Sequence, residues 1–475
     1  MHSSSHRFKE NAREALLDDQ LRLALNRAQN GFVNNRLHAL QSLDDFEATR
    51  AAAREVKEHT LSHLDYYLEL FEERAVAAGG HVHWASTPEE ARAIIVDICR
   101  RADAKTVTKG KSMVGEEIAI NDILEAEGLE VIETDLGEYI IQLADEPPSH
   151  IIAPAIHKTR EQIGDLFIQH HAEHGFDERT TETAALVGQA RQVLRSQFQR
   201  ADVGITGANF LVAETGSSVI VTNEGNGDLS NTLPRVHIVT AGLEKIVPNL
   251  EDMSAILRVL ARSATGQEMS VYTTVSTGPR QERDLDGPAE FHIVLLDNGR
   301  STWLGNEYRE MLRCIRCGAC LNHCPVYNSV GGHAYGWVYP GPMGSVLTPL
   351  MLGLDEANHL PNACTLNGRC QQVCPMGIPL PSLLRKHRES EFTRQLQSRR
   401  ARLALKIWSY TAQRPRLYHF LARLGVSLLG LLGSKRGAFR WLPLAEGWTS
   451  QRDLPVPQGE TFQTRWQRVQ ERDGS

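Results

Sequence analysis

Residues 314–325, CIRCGACLNHCP, place four cysteines and a proline within twelve positions. Their spacing, C-x2-C-x2-C-x3-C-P, decides how the last third of the chain is read. Two-residue gaps let a tight loop aim three thiolates, Cys314, Cys317 and Cys320, at one face of an iron–sulfur cube. Cys324 lies beyond a longer gap, is followed by Pro325, and points toward a second cluster. A second run, CTLNGRCQQVCP at 364–375, repeats the spacing with Cys364, Cys370, Cys374 and Pro375. Crossed ligation then assigns Cys314, Cys317, Cys320 and Cys374 to cluster one, and Cys324, Cys364 and Cys370 to cluster two. Structural zinc instead pairs C-x2-C units across a longer loop. Disulfides would scatter the cysteines, whereas seven of the eight fall between 314 and 374. Cys99 alone stands apart and reads as a small buried core residue.

Asn367 departs from the pattern, standing where an identical repeat would have cysteine. An amide oxygen is a far poorer iron ligand than a thiolate. The second site is therefore a three-iron cluster, a four-iron cluster with a non-cysteine ligand at one iron, or no cluster. Arg313, Arg316 and Arg369 crowd the runs. They either raise the potential of an anionic cluster or lie solvated on a loop. His323 and His333 are further candidate ligands that the cysteine count nearly makes unnecessary.

Outside the runs, 475 residues with 41% hydrophobic and 23% charged content suit a globular chain of about three domains. A net charge of −7 argues against a general nucleic-acid binder. The opening, MHSSSHRFKENAREALL, has no apolar h-region, and no run of about 18 apolar residues follows. The expectation is a reducing, cytoplasmic compartment that keeps thiols available for metal.

Four regions are expected. Residues 1–65 form a helical N-terminal region, with apolar residues at three- and four-residue steps. Residues 66–300 form an α/β domain with a largely parallel sheet. Its candidate strands are HVHWA, TVTKG, EVIETD, HIIAPA, VGITG, SVIVTN, RVHIVTA and FHIVLLD, and PEEARAIIVDICRRA and EEIAINDILEAEG are helical stretches between them. Residues 301–395 hold the two runs, separated by GGHAYGWVYPGPMGSVLTP, which reads as irregular. Residues 396–475 are basic and helical, then end in a polar tail. Between 401 and 432, Leu417, Phe420, Leu421, Leu424, Leu428 and Leu431 make an apolar stripe beside Arg416, Arg423 and Lys435. It suits docking on protein or, less simply, peripheral contact with a membrane surface.

No G-x-G-x-x-G occurs, so no flavin or NAD site is identified, and KGKS at 109–112 lacks the earlier glycine of a P-loop. A small-molecule pocket in the α/β domain is suggested by polar residues at strand ends: Lys109, Lys111, Ser112, Glu214, Thr215, Ser217, Asn223 and Glu224, with Glu133, Asp135 and Glu138 nearby. Turn and cap chemistry is the competing reading. No catalytic residue is identified. His170 and His174 are spaced for a helical metal pair, although a solvated face explains them as well.

KGKSMVGEEI, ETDLGEYIIQL, PPSHIIAPAIHK, GITGANFLVAETGS, GPAEFHIVLLDNGR, LRCIRCGACLNHCPVY, GGHAYGWVYPGP and CQQVCPMGIPL together resemble the lactate utilization protein B family, over essentially the whole chain. The resemblance implies an α/β domain similar to the phosphosugar isomerase and coenzyme A transferase folds. An α-helical, two-cluster ferredoxin-like domain and helical N- and C-terminal extensions accompany it. It also implies an electron-transfer role in oxidising L-lactate to pyruvate. The implied partners are a cysteine-rich subunit and a second α/β-domain subunit, and the terminal acceptor is not indicated. A relay for another 2-hydroxy acid such as glycolate, and a cluster-based redox sensor, are the competing functions. The location implied is cytoplasmic, with the inner face of the membrane as a place of peripheral contact.

Overall fold

The computed structural model describes residues 3–433, 437–443, 445–449 and 452–473. Two compact units divide the chain, Met1–Glu391 and Phe392–Ser475.

The first unit is built on a parallel sheet. Its strands, with those of a smaller sheet, are His81–Ala85 (β1), Thr106–Gly110 (β2), Glu130–Glu133 (β3), Val203–Gly207 (β4), Phe210–Val212 (β5), Ser217–Thr222 (β6), Val236–Gly242 (β7), Ile246–Val247 (β8), Tyr272–Ser276 (β9) and Glu290–Leu296 (β10). The large sheet runs β1-β10-β7-β4-β2-β3 and is parallel throughout. Its middle strands are buried on both faces, which explains why VHIVTAG and FHIVLL read as continuous apolar runs rather than alternations. The helix Pro88–Arg101 begins where the Thr87 hydroxyl accepts from the Glu90 amide at 3.3 Å, with Pro88 in the first turn. It carries Cys99 into the core, fully buried, with burial pushing the thiol up to about 12.

Three expectations are corrected here. HIIAPA is not a strand: residues 150–155 form bends and turns. Pro154 has no N–H to offer a ladder, its carbonyl accepts from Ser149 N at 3.0 Å, and His150 Nδ1 accepts from Ile152 N at 3.2 Å. EEIAINDILEAEG is two short helices, Met113–Glu117 and Ile120–Ala126, broken where Ala119 takes φ +52°. GGHAYGWVYPGPMGSVLTP is not irregular throughout, because Gly341–Leu352 is an α-helix with a proline in its first turn. Gly344 is required within it, since a Cβ there would meet the Tyr339 carbonyl oxygen at 1.6 Å.

The small sheet, order β8-β5-β6-β9, lies outside the sequence reading for β5, β8 and β9. Strands of two to five residues carry too little periodicity to be seen.

The N-terminal helices pack on the cysteine region. The helix Asp19–Gln41 sends Arg36 Nη2 to the Val373 carbonyl at 3.2 Å, and Phe32 stacks on His150 with ring centroids 6.0 Å apart. The helix Phe46–Ser62 reaches Arg313 through Glu58 at 3.5 Å. One apolar core joins Leu25, Phe46, Ile151 and Ile256 to the cysteines.

In the second unit, the helices Arg399–Ala412 and Pro415–Gly433 leave their apolar side chains largely exposed, with Trp408 65% and Phe420 63% exposed. Lys435 lies outside the described residues. Within the polar tail Phe462–Asp473 is helical, beginning where Thr461 accepts from the Thr464 amide at 3.3 Å. Among the described residues no helix is long and apolar enough to cross a membrane.

Candidate iron–sulfur site and adjoining cavity

The first run turns on two residues with positive φ, Arg316 at +58° and Gly318 at +74°. That turn brings Cys314, Cys317 and Cys320 to one cavity, and Cys374 from the second run lines the same cavity. Ile151, Met343, Met376 and Leu380 complete its apolar wall. Cys324 stands apart from this group as the N-cap of the helix Pro325–Val330, where its sulfur accepts from Tyr327 N at 3.5 Å. Its charge neighbour is Cys364, and Cys370 feels Cys364 and then Cys324. All these cysteines are free of disulfides.

This donor set fits iron–sulfur clusters. Burial, then the neighbouring thiolates Cys314, Cys317 and Cys374, push Cys320 well up. Burial, followed by Cys364 and Cys324, raises Cys370 to about 12. Thiolates gathered without a cation would repel one another in a dry site. A metal ion deprotonates coordinating thiols outright and removes that cost.

Buried positive charge supplements the site. Arg316 Nη2 pairs with Glu244 Oε1 at 3.3 Å, and its guanidinium lies over the Tyr339 ring at 4.8 Å. Glu244 Oε2 is held at 2.8 Å by Arg300 Nε. Arg300 in turn grips Glu117 through two bonds of 2.7 and 3.0 Å, while the Tyr339 hydroxyl donates to Glu117 at 2.6 Å. Burial raises the Glu244 carboxyl, yet Arg300 and Arg316 outweigh it and hold it near 2. Burial pushes Lys245 down to about 8, and Lys57 likewise. Arg313 is also buried, paired with Glu58 and with Glu310 at 3.0 Å. Arg369 is exposed. Arg36, Lys57 and Glu244 were not singled out in the sequence, because their partners are about 70 to 340 positions away.

Asn367 is exposed, and its Oδ1 accepts from Arg369 N at 3.0 Å. His323 Nδ1 meets the Ala319 carbonyl at 2.9 Å, and His333 Nε2 the Pro147 carbonyl at 2.8 Å. His333 also gathers with Glu146 and His157, where Lys158 already pairs with Glu146.

A separate cavity of about 170 Å³ opens at the carboxyl ends of β2, β4 and β7, the usual ligand side of such sheets. Of the residues expected to form a pocket, Lys111 and Asn223 line it. Glu224 reaches it only through Lys111, at 3.5 Å. Lys109 does not line it: its ammonium is fully buried between Glu116 at 2.5 Å and Glu133 at 2.8 Å. Ser112 is spent as a cap, accepting from Gly115 N at 2.8 Å and bonding the Thr240 hydroxyl at 2.6 Å. Glu214, Thr215 and Ser217 belong to the β5–β6 turn, where Ser217 bonds Thr215 at 2.7 Å and Thr277 at 2.6 Å. Asp135 and Glu138 do line the cavity; burial and Glu133 keep Glu138 well above the ordinary carboxyl range. The sequence did not reveal Lys245 and Arg316 as cavity residues. Ile151, Arg316 and Cys317 line this cavity and the cysteine cavity alike.

Three stretches of the chain match known family models. Residues 68–296 match the LUD domain, 310–378 the 4Fe-4S dicluster domain, and 388–471 the lactate utilisation protein B C-terminal model. Lactate utilization protein B of Lysinibacillus sphaericus is 44% identical over 97% of both chains, and that of Shouchella clausii 45% over 98% of both. A solved DUF162 family protein from Deinococcus radiodurans covers 49% of this chain and 98% of its own, at 14% identity. Its TM-score of 0.27 is too low to carry an argument. The chain is an iron–sulfur protein and belongs to the lactate utilization protein B family.

Proposed function

We propose that this protein is the electron-transfer subunit of a multi-protein assembly that oxidises L-lactate to pyruvate and so allows growth on lactate. Its partners are a cysteine-rich subunit and a second α/β-domain subunit, and it works on the cytoplasmic side. The observation that carries this reading is the gathering of seven thiols from two runs into two groups, one of them in a cavity walled by apolar side chains. Two iron–sulfur clusters, the first 4Fe-4S and the second either 3Fe-4S or 4Fe-4S with a non-cysteine ligand, would supply single-electron acceptance and donation there.

The chain's own residues hold and tune that chemistry. Cys314, Cys317, Cys320 and Cys374 hold one cluster, and Cys324, Cys364 and Cys370 the other. Ile151, Met343, Met376 and Leu380 exclude water from the first. Arg316 places fixed positive charge beside Cys314, which favours the reduced state. The exposed apolar side chains of Arg399–Ala412 and Pro415–Gly433 give a partner subunit something to dock on. A membrane surface is the outcome that liposome flotation would detect. The polar cavity at the strand ends supports kinship of the α/β domain with the phosphosugar isomerase and coenzyme A transferase folds.

Anaerobic co-purification with the partner subunits, followed by L-lactate, tests the reading. Cluster bleaching and an EPR signal on adding L-lactate are expected. Reduction by glycolate alone would move the assembly to another 2-hydroxy acid, and no reduction by either would overturn the proposal.

A further inference from the structure

We infer that the 170 Å³ cavity of the α/β domain binds a small organic carboxylate, with Lys245 and Arg316 as its charge partners, on the wall shared with the first cysteine group. The inference deepens the electron-transfer reading and rests on it for the choice of acid.

Size narrows the ligand first. An apolar cavity of about 150 Å³ holds a molecule the size of benzene, and drug-sized ligands need about 300 Å³ or more. A dinucleotide is therefore too large, whereas a three-carbon acid fits.

Charge narrows it further. Among the cavity's cations, Lys111 is committed to Asp135 and Glu224. Lys245 is buried, and its Nζ makes no ion pair or hydrogen bond with another described residue. Arg316 spends Nη2 on Glu244, which it shares with Arg300, and leaves buried Nη1 without a partner. A buried donor left unpaired costs free energy that a bound carboxylate would recover. Val221, Leu260, Ala261 and Ala264 give a short carbon chain an apolar wall. Placed there, the acid would touch the wall formed by Cys317 and Arg316, beside the cluster rather than remote from it.

The test uses the full chain, reconstituted anaerobically with its iron counted. Pyruvate, L-lactate and inorganic phosphate are titrated by calorimetry, and the dithionite-reduced protein is followed by EPR. Binding of pyruvate or L-lactate is expected, with a shift of the cluster-one signal. Lys245→Met should weaken the affinity about tenfold or more, the cost of one charged hydrogen bond, while Lys245→Arg retains most of it. Ala264→Met, which fills the cavity without changing charge, should abolish binding. Unchanged iron content and thermal melting show that the variants fold. The inference is overturned if iron-replete wild type binds neither acid, if it binds phosphate alone, or if folded Lys245→Met and Ala264→Met bind like wild type. Acid binding and its loss in the variants, in protein that lactate and its partners never reduce, would sustain the cavity assignment and sink the electron-transfer reading.

Discussion

The two cysteine runs have the same backbone and different surroundings. Arg316 and Leu366 take φ of +58° and +56°, and Gly318 and Gly368 +74° and +82°. In the first run the Ala319 amide donates to Cys317; in the second the Arg369 amide donates to Asn367 Oδ1 at 3.0 Å. The turn is thus repeated down to its side-chain hydrogen bond, with an amide oxygen where the thiolate was. The first run, however, sits in the main core beneath the N-terminal helices, while Thr365, Leu366 and Asn367 are exposed. Loop geometry is set locally by a non-glycine and a glycine residue in the left-handed region, at a cost of about 1–3 kcal/mol for the former. Whether the loop completes a metal site depends on one side chain and its burial.

The largest difference between the runs should appear on removing a thiol from each. Cys320→Ser should lose about four iron atoms per chain and lower the melting temperature, because the whole of that run is packed in the core. Cys370→Ser should lose only the second signal and lower the melting temperature less, because its loop is exposed at 365–367 although Cys370 itself is buried in the same core. Iron analysis with circular dichroism checks both, and equal destabilisation would show that the two sites contribute alike to the fold.

A smaller effect is expected from Asn367→Cys. With a thiolate in the same turn, iron content should rise by about one atom per chain or the second EPR signal should change type, with the first signal intact. Identical iron and spectra would show that position 367 faces no cluster.

Next come the arginines. Arg316→Gln should lower the potential of the first cluster by something on the order of tens of millivolts, since buried charge is poorly screened. Arg369→Gln, at the surface, should shift the second by less. Redox titration at two salt concentrations separates them: only the Arg369 effect should fade with salt.

The smallest effect concerns acid. Burial holds His150 and His387 near 4 against an ordinary value of 6.5. His150 lies against the first run, bonded to Asn322 at 3.1 Å, and His387 meets the Val346 carbonyl at 3.0 Å. Their depressed values mean the unfolded chain binds protons that the fold does not. Stability from these groups is complete above about pH 6.5 and falls as pH drops toward 4, by at most about 1.4 kcal/mol per pH unit for each. Denaturant melts from pH 7 to 5 measure that slope, and His387→Asn should reduce it.

The parallel strands were legible because a strand buried on both faces is an apolar run whatever surrounds it. HIIAPA misled for the same reason. Its two isoleucines are apolar because they wall cavities, Ile151 on the cysteine cavity and both on the larger one, and Pro154 keeps them out of a ladder. Lys109 misled in another way: a lysine at a strand end suggests an anion site, but Glu116 and Glu133 close around it.

The sequence by itself determined the spacing of the thiols, the departure at Asn367 and the parallel α/β pattern. Those depend on periodicity and on gaps of two or three residues, which act over one turn of chain. Only the tertiary structure decided that the N-terminal helices cover the first run, that Glu244 joins Arg300 to Arg316, and that one wall serves both the cysteine group and the larger cavity. Those contacts join segments far apart in sequence, and each exists only because packing buries a charge or a side chain that local pattern leaves uncommitted.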